Sequence, residues 1–502
     1  MNQFDVIVVG AGNGGLVAAA TVAKEGFKTL LLEKHNLPGG CATSFVRGRF
    51  EFEAALHELC GDSTCEKHES VRTIFERLGV DVKLYHEDTL FRTICKGENG
   101  YDAVIRAGYD GFLDSMEEAV PGCRESVKSF FDLIGEIDDA QTFMNENGIN
   151  PMVLYTKYGN FMRVASHSAK EVMDALEIPE KAQSILSTYW GYLGVPVDNL
   201  NALHYLSMLT AYVKAKPSMP YHRSHELSLA LVRALQGFGG EILYNSEVTR
   251  FVYNAKGEAI GVIANGKLYY AKKIISNIIP NNVFNRSNRS AIPAAARKLA
   301  NARKLGMTFN TIYLGLDSSM EELGITDYSV FIASDPDSRK QFDDRGEYGM
   351  YVVNCMNKAL PDSSPKGTCT LFFTIMVMPG DFPEDLTPQE YKKYKNKIAE
   401  KYIRDYEKTM GVSVMDHIEE IVVATPATFA RYLATPDGAI YGYASETWDN
   451  IIGRIAMKDG ENKIPGVYFC GGHAERGDGY PSAYITGAMT GEEVVNDLRR
   501  GK

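Results

Sequence analysis

The first apolar runs of the chain predict a strand, a glycine turn, a helix and a second strand. Residues 6–9 form a β-branched run typical of a buried parallel strand. Residues 16–24 mix apolar and small side chains, which suits a helix packed against that strand, and residues 29–32 form another apolar run. This order indicates a β-α-β unit of the kind that binds a dinucleotide.

The glycines between the first strand and the helix have the spacing of a phosphate-binding turn. Gly10, Gly12 and Gly15 match G-x-G-x-x-G, in which the glycines allow a tight turn, close approach of the backbone to a pyrophosphate, and close helix packing. The helix N-terminus then offers free N–H groups to the phosphates. Glu33 follows the second apolar run, where a carboxylate can accept the ribose hydroxyls of an adenosine. Dinucleotide binding is therefore the leading interpretation, and the alternative is a glycine-rich turn with a surface glutamate.

The segment after Glu33 favours a flavin dinucleotide over a nicotinamide. A nicotinamide-binding domain would continue into another helix and parallel strand, whereas this chain continues with the glycine loop of "HNLPGGCATSFVRGRFEFEAALHEL" and a short alternating strand at 50–53. Gly39 and Gly40 allow the backbone to approach a ligand, and Thr43 and Ser44 offer hydroxyl groups. An extended flavin dinucleotide needs such contacts beyond the first turn, whereas helix capping by the hydroxyls is the plainer alternative.

Two later segments extend the same predicted site. Residues 225–278 have the pattern helix, glycine turn, strand, hairpin and strand, and we expect Glu247 and Val248 to lie beside the adenine. Residues 467–470 form a strand, followed by a glycine loop and a helix that starts at about Pro481. The N-terminus of that helix can face N1 and the C2 oxygen of a flavin and stabilise the anion formed on reduction.

Composition excludes some classes of partner. The 502-residue chain has a net charge of −11, which argues against nucleic acid. It has no apolar run long enough to cross a bilayer and no leader before the first strand, so a cytoplasmic location is expected. Cys60 and Cys65, with His57 and His68, lack a known zinc spacing, so no metal site is expected.

The order of motifs resembles that of a known family. The sequences "GAGNGGLVAAA", "LLEK", "PGG", "GRFEFEAALHEL", "ALQGFGGEI", "TPATFARYLATPDGAIYGY" and "YFCGGHAERGDGYPSAYITG" are similar to those of the phytoene desaturase, carotenoid isomerase and retinol saturase family of flavoproteins. The resemblance covers nearly the whole chain, and "GDGYPSA" and "GAIYGY" are its more specific parts. It implies bound FAD and a cap domain that shapes a long apolar tunnel ending at the flavin.

The resemblance and the motifs together define a cofactor-binding set. We expect FAD to be bound by Gly10, Gly12, Asn13, Gly14, Gly15, Glu33, Lys34, Gly40, Cys41, Thr43, Val248, Gly472, Tyr480 and Ser482. Two of these depart from the family pattern. Cys41 stands where an arginine or serine is usual after the double glycine, and Gly472 replaces a common acidic residue.

The predicted fold class is α/β: a Rossmann-like FAD-binding domain of the glutathione reductase and amine oxidase type, with an inserted α+β cap domain that binds substrate. The FAD-binding domain is expected to be discontinuous, from residues 1–100, 222–285 and 455–502. The cap is expected to comprise residues 101–221 and 286–454.

Residues 142–221 suggest the character of the substrate. They are rich in Met, Tyr, Phe and Leu, which can line an adaptable apolar pocket or simply pack a helical core. Their position between two FAD-binding segments favours the pocket. Peripheral contact with a membrane surface is a further alternative, although no strongly basic amphipathic helix supports it.

Flavin N5 can carry a hydride, so the expected reaction acts on a carbon–carbon bond: desaturation, saturation or isomerisation. The sequence does not set its direction. A proton donor or acceptor is needed on the other face of the substrate, and the candidates in order are His57, Tyr480 and His473. A buried, hydrogen-bonded histidine is the plainer interpretation of His57. The sequence "YHRSHE" around Arg223 is expected either to receive a polar head group or to form a solvated helix start.

Three functions compete. The leading hypothesis is an FAD-dependent oxidoreductase or isomerase that acts on an apolar polyene or isoprenoid-like substrate, with NAD(P)H as an open candidate for electron donor. The second is a flavin amine oxidase or fatty-acid-modifying flavoenzyme, favoured by an aromatic cage or an acidic pocket near the flavin. The third is a flavin-free lipid or prenyl carrier on the same fold, which the intact glycines and Glu33 disfavour. The oligomeric state cannot be predicted from the sequence.

Overall fold

The computed structural model describes residues 3–61, 70–449, 454, 463–475 and 477–501. The strands in these ranges are β1 (Gln3–Val9), β2 (Thr29–Leu32), β3 (Ser44–Arg47), β4 (Phe50–Glu53), β5 (Leu84–His86), β6 (Thr89–Cys95), β7 (Tyr101–Arg106), β8 (Ser218–Pro220), β9 (Glu241–Leu243), β10 (Val248–Tyr253), β11 (Ala259–Ala264), β12 (Lys267–Ser276), β13 (Thr308–Leu316), β14 (Ser329–Ala333), β15 (Met350–Cys355), β16 (Cys369–Val377), β17 (Ile418–Ala424) and β18 (Val467–Phe469).

The helices in the same ranges are α1 (Asn13–Lys24), α2 (Val71–Leu78), α3 (Tyr109–Ala119), α4 (Arg124–Asn147), α5 (Pro151–Lys157), α6 (Gly159–Ser166), α7 (Ala169–Ala175), α8 (Glu180–Leu186), α9 (Trp190–Leu193), α10 (Ala202–Ala215), α11 (Arg223–Gly237), α12 (Pro280–Asn285), α13 (Ala294–Ala302), α14 (Ser338–Asp343), α15 (Met356–Ala359), α16 (Pro388–Met410), α17 (Pro426–Leu433) and α18 (Tyr480–Arg499).

The first sheet is the Rossmann-like part of the fold. Strands β9, β2, β1, β12 and β18 are parallel neighbours in that order, and β10 and β11 extend the sheet as antiparallel strands beside β12. Its strands come from three distant parts of the chain, because β1 pairs with β12 and β12 pairs with β18. The expected α/β class with a Rossmann-like sheet is confirmed.

Both faces of this sheet are buried, which explains the unbroken apolar runs of its strands. Along β1, Val6 and Val8 pack into one hydrophobic core with α1, whereas Ile7 and Val9 pack into another core on the opposite face. Helix α1 is buried along nearly its whole length, between α11 and α18. Small alanine side chains there let the neighbouring helices approach closely.

The second sheet forms the cap. Its order is β17, β13, β16, β15, β14, β6 and β7, and all neighbours are antiparallel except β14 and β6. Long helix α16 covers one face, where Tyr402, Ile403 and Tyr406 pack against Ile312 and Leu314 of β13. The other face turns Phe309 and Tyr313 of the same strand towards the larger core that includes the cap helices.

Two elements pack with a different sheet from the one that the expected domain limits assign to them. Strand β6 lies before residue 100 but pairs with β14 of the cap, because its apolar side chains complete that sheet. Helix α13 lies after residue 286 but packs with the core of the first sheet through Ala296. The limit expected at residue 455 lies outside the described residues. Over the part of the chain that the structure describes, no helix is long and apolar enough to cross a membrane.

Candidate functional site

A long cavity runs along the carboxyl ends of the parallel strands of the first sheet. It begins at Val9 and Leu32, where β1 and β2 end, and passes Asn277 and Gly471, which follow β12 and β18. Ligands of doubly wound sheets bind at this edge. We call this space the first cavity.

Glycines form the floor of the first cavity. A Cβ on Gly12 would lie 2.7 Å from Asn277 Nδ2, and a Cβ on Gly14 would lie 2.8 Å from the Gly471 backbone nitrogen. The loop at Gly39 is held against the first glycine turn, because the Gly39 N–H donates to the Ala11 carbonyl at 2.7 Å. Side chains at Gly12 and Gly14 would collide with Asn277 and Gly471, so only glycine fits at these two positions.

The start of α1 offers an anion site to this cavity. Its N-cap, Gly12, has no side chain to satisfy the first N–H groups, and no acidic residue lies in the first turn. Free N–H groups and the positive end of the helix dipole both favour a phosphate there.

Glu33 lies where the adenosine end of a dinucleotide is expected. Its Oε2 accepts from the Ala11 N–H at 2.7 Å and its Oε1 accepts from the His35 N–H at 2.8 Å. Burial raises the pKa of this carboxyl, while the two N–H donors lower it. Each oxygen keeps a lone pair for a ribose hydroxyl. Glu247 and Val248 lie in the same wall, and Glu247 forms an ion pair with Arg286 at 2.8 Å.

Most members of the expected cofactor set lie together in this wall. They are Gly10, Gly12, Asn13, Gly14, Glu33, Lys34, Gly40, Cys41, Val248, Gly472 and Tyr480. Lys34 also donates to the Arg431 carbonyl at 2.7 Å, which ties the cavity to the cap. Burial raises the pKa of the Cys41 thiol to about 12, so this side chain is a neutral group in the wall.

Three members of the set lie elsewhere. Gly15 supports close packing of α1, since a Cβ there would lie 2.0 Å from the Gly10 carbonyl oxygen. Thr43 faces α11, where its Oγ1 lies 3.4 Å from Nδ1 of His225. Ser482 borders a second cavity rather than the first. Gly15 and Thr43 therefore act on the site through packing, because the tight turn and the β3–β4 hairpin direct them away from it.

A second cavity of about 210 Å³ adjoins the first beneath the cap helices. Six residues form a wall that both cavities share: Ala55, His57, Tyr192, Tyr441, Gly479 and Tyr480. Leu203, Met208 and Ala211 of α10 and Leu193 of α9 line its apolar side. The Met-rich and aromatic block of the sequence therefore contributes a cavity wall as well as core.

Helix α18 begins at the shared wall. Its N-cap, Gly479, has a φ of +94° and no side chain to cap the first N–H groups. No acidic residue lies in the first turn. The uncapped end of this 20-residue helix thus supplies partial positive charge where the two cavities meet.

The three candidate proton-transfer residues all lie at the first cavity. His57 Nε2 is 2.8 Å from Thr374 Oγ1, and burial lowers the pKa of its imidazole to about 3. Burial and two nearby arginines lower the pKa of His473 to about 3 as well. Within the described chain, His473 Nε2 and the Tyr480 hydroxyl have no hydrogen-bond partner. Because the pKa of each imidazole is about 3, both histidines are neutral at pH 7.

The sequence around Arg223 corresponds to neither expectation. Arg223 is buried and its Nη1 lies 3.0 Å from Glu51 Oε2, while Ser224 Oγ donates to Glu53 Oε1 at 2.6 Å. These contacts join α11 to the β3–β4 hairpin, so the segment is neither a free head-group site nor a solvated helix start.

Two buried acids of the second cavity were not among the expected site residues. Glu58 Oε1 accepts from the hydroxyls of Tyr189 and Tyr192 at 2.7 and 2.8 Å, and burial raises its pKa to about 8. Asp478 is also buried and accepts from Ser445 Oγ at 2.7 Å. Burial raises the pKa of Asp478 to about 6. The signal for a buried acid was available in the sequence, because Glu58 lies in an apolar segment and Asp478 in a glycine-rich one.

Comparison with known proteins agrees with this architecture. Residues 8–78 match the family model described as a NAD(P)-binding Rossmann-like domain. The chain is 25% identical over 477 residues to all-trans-retinol 13,14-reductase of Danio rerio, covering 88% of this chain and 77% of that protein. It is 24% identical over 511 residues to chloroplastic prolycopene isomerase 1 of an Oncidium hybrid cultivar, covering 99% and 84%.

Solved structures share the fold at lower identity. A wild-type putrescine oxidase bound to putrescine superposes with a TM-score of 0.64 at 14% identity, covering 98% of this chain and 99% of that one. The likeness of the whole fold to this oxidase, and of the whole sequence to the reductase and the isomerase, agrees with the motif order. The chain is thus similar, along most of its length, to members of the carotenoid isomerase and retinol saturase family that its motif order resembles.

Proposed function

We propose that this protein is an FAD-dependent oxidoreductase or isomerase that acts on a carbon–carbon bond of an apolar polyene or isoprenoid-like substrate. The observation that carries the proposal is the shared wall. There the glycine-floored first cavity meets the apolar second cavity at His57, Tyr192, Tyr441 and Tyr480. A cofactor in the first cavity would meet a substrate in the second at this wall.

The residues of the first cavity fit FAD. Glu33 would bind the adenosine ribose, and the start of α1 with Gly12 and Gly14 would bind the pyrophosphate. The start of α18 would hold the ring end, near Gly479 and Tyr480. When bound, the flavin supplies hydride acceptance and donation.

The chain's own residues prepare the substrate side. Tyr192, Tyr441 and Phe309 form aromatic walls that exclude water and orient a flat apolar chain. His57 is a neutral imidazole held by Thr374, so at neutral pH it acts as a hydrogen-bonding group and not as an imidazolium acid.

The names of the relatives support the substrate class. One is a retinol reductase and the other a prolycopene isomerase, and both match across most of their lengths. Amine oxidation is the second candidate, because the tyrosines of the shared wall form an aromatic lining. The raised pKa leaves Glu58 neutral at pH 7, so of the two buried acids of the second cavity only Asp478, with a pKa of about 6, would offer an ammonium group an opposite charge.

Exposed apolar side chains support peripheral contact with a membrane. Ile149, Met152 and Tyr155, around the start of α5, are 44%, 73% and 75% exposed. They follow α4, whose Gln141 borders the second cavity, so a lipid surface there would lie on a route for apolar substrate. Co-sedimentation with phosphatidylcholine vesicles tests this: Met152→Ser with Tyr155→Ser should weaken binding, whereas Val46→Ser, at another exposed site, should not.

The proposed function is tested first by the visible spectrum of the purified protein and by anaerobic titration with NADPH and NADH. A flavin spectrum that bleaches with either nicotinamide supports a saturase or a reductively started isomerase. A bound flavin that resists both supports a desaturase or oxidase with another acceptor. Absence of flavin, with no uptake on reconstitution, would contradict the proposal and favour the carrier hypothesis.

A further inference from the structure

Glu58 is a buried acid with one satisfied and one unsatisfied oxygen. Its Oε1 accepts two hydrogen bonds, from the hydroxyls of Tyr189 and Tyr192. Its Oε2 is buried and has no hydrogen-bond partner among the described residues. The side chain borders the second cavity, and Tyr192 belongs to the wall shared with the first.

The hydrogen bonds locate the acidic proton. Because both tyrosine hydroxyls donate to Oε1, the proton of the neutral acid lies on Oε2. Burial and the nearby charge of Glu87 both favour that neutral form. A buried O–H without an acceptor is destabilising, so a ligand that offers an acceptor gains a corresponding advantage.

Among the described residues, no other side chain that lines the second cavity accepts a hydrogen bond from Glu58 Oε2. Leu193, Leu203 and Met208 are apolar, and the oxygens of Tyr189 and Tyr192 are used at Oε1. The segment around Arg223, which the sequence offered as a head-group site, is occupied by its own ion pair. Glu58 is thus a buried acid of the second cavity with an oxygen left for a bound molecule, and Asp478, whose Oδ1 also lacks a partner among the described residues, is the other.

We propose that Glu58 donates a hydrogen bond to an oxygen atom of the substrate, which is therefore an apolar polyene or isoprenoid chain that carries a hydroxyl or carbonyl group, and not a pure hydrocarbon. This inference rests on the proposed function and narrows its substrate class. It places the oxygen beside Tyr192, which belongs to the shared wall where the reacting bond would lie.

Paired ligands test the inference by binding alone. The probes are all-trans-retinol and the hydrocarbon in which its hydroxyl is replaced by hydrogen, added anaerobically to the flavin-loaded protein without an electron donor. Quenching of the emission of buried Trp190, on α9 beside the second cavity, gives both dissociation constants. We expect the alcohol to bind about five- to tenfold more tightly, the value of one net hydrogen bond.

Variants distinguish two roles of Glu58: donation of a hydrogen bond to the ligand, and support of the surrounding structure alone. Glu58→Met should abolish the preference for the alcohol. Glu58→Gln should keep it, because the amide can turn its oxygen to the tyrosines and its NH₂ to the cavity. Met208→Leu, in the same wall, should change both constants by the same factor. If Glu58→Met fails to fold, the variant with Tyr189→Phe and Tyr192→Phe added removes all three polar partners together.

Each other outcome overturns the inference. Equal affinities in the unaltered protein, or a preference that survives Glu58→Met, would show that Glu58 does not bind the oxygen. Loss of the preference in Glu58→Gln, which keeps a donor, would show that hydrogen-bond donation at this position does not produce it. If neither probe binds, the inference fails, while the flavin spectrum and its anaerobic reduction still report separately on the proposed function.

Discussion

The side-chain amide of Asn277 occupies the space that a side chain on Gly12 would need: the amide nitrogen lies 2.7 Å from the position of a Cβ there. Asn277 follows β12 directly, and its own N–H donates to the Val9 carbonyl at 2.9 Å. The end of one strand thus limits the size of the residues in the turn after its neighbour. The floor of the first cavity depends on this fit.

Gly14→Ala should remove bound flavin. The added Cβ would lie 2.8 Å from the Gly471 backbone nitrogen, so the two loops would have to separate. We expect the ratio of absorbance at about 450 nm to that at about 280 nm to fall to near zero in the purified protein. Gly135→Ala is the matched control, because a Cβ there meets no atom within 4 Å. Retention of flavin by Gly14→Ala would contradict the assigned floor.

Glu33→Gln should weaken FAD binding about 10- to 100-fold, because an amide cannot accept from both backbone N–H groups and both ribose hydroxyls as a carboxylate does. Titration of the apoprotein with FAD, followed by flavin fluorescence, gives the dissociation constant. Glu25→Gln is the control, since Glu25 is a surface residue paired with Arg499 at 2.6 Å. An unchanged constant in Glu33→Gln would place the adenosine elsewhere.

The protonation of Glu58 should make stability depend on pH. Its pKa is raised from 4.5 to about 8 in the folded protein, so between these values the folded chain holds a proton that the unfolded chain has released. The free energy of unfolding should therefore fall as pH rises from about 5 to about 8, by up to about 1.4 kcal/mol per pH unit from this group. Urea unfolding of the protein and of Glu58→Gln should diverge over this range. Parallel curves would mean that Glu58 is ionised when folded.

The neutral imidazole of His57 predicts the opposite dependence at lower pH. Its pKa is lowered from 6.5 to about 3, so below pH 6.5 the unfolded chain binds a proton that the folded chain does not. This contribution to stability is complete above pH 6.5 and declines, by up to about 1.4 kcal/mol per pH unit, as the pH falls. His57→Gln should lose less stability than the unaltered protein between pH 6.5 and 4.5. An equal loss in both would show that His57 is charged in the folded state.

Local patterns were sufficient to predict much of the framework. Strand β4 spans Phe50–Glu53 as expected, and α18 begins at Tyr480, one residue before the expected start. Glycine spacing and periodicity determine these elements, because the contacts that stabilise them lie close in sequence. The same patterns also located most of the first cavity, since glycines at strand ends need close backbone approach.

Pairings between distant segments could not be predicted in this way. The alternating pattern of β6 would fit either sheet. Only its pairing with β14 shows that it belongs to the cap sheet. Thr43 and Arg223 have side chains suited to binding a ligand, but α11 and the β3–β4 hairpin use them to join each other. Glu58 was missed because its significance depends on two tyrosines more than a hundred residues away in the chain.

The first sheet can be completed only late in synthesis of the chain on the ribosome. Strand β1 pairs residue 3 with residue 270, and β12 can pair with β18 only after residues 467–469 have been synthesised. The cap strands between them need no residue beyond 424 to complete their own sheet. A nascent chain can therefore finish the inserted part while β12, inside the first sheet, still lacks its neighbour β18, a state that is slow to mature and exposed to aggregation. Capture of a dinucleotide would follow synthesis of α18, since the wall of the first cavity is incomplete until that helix has left the ribosome.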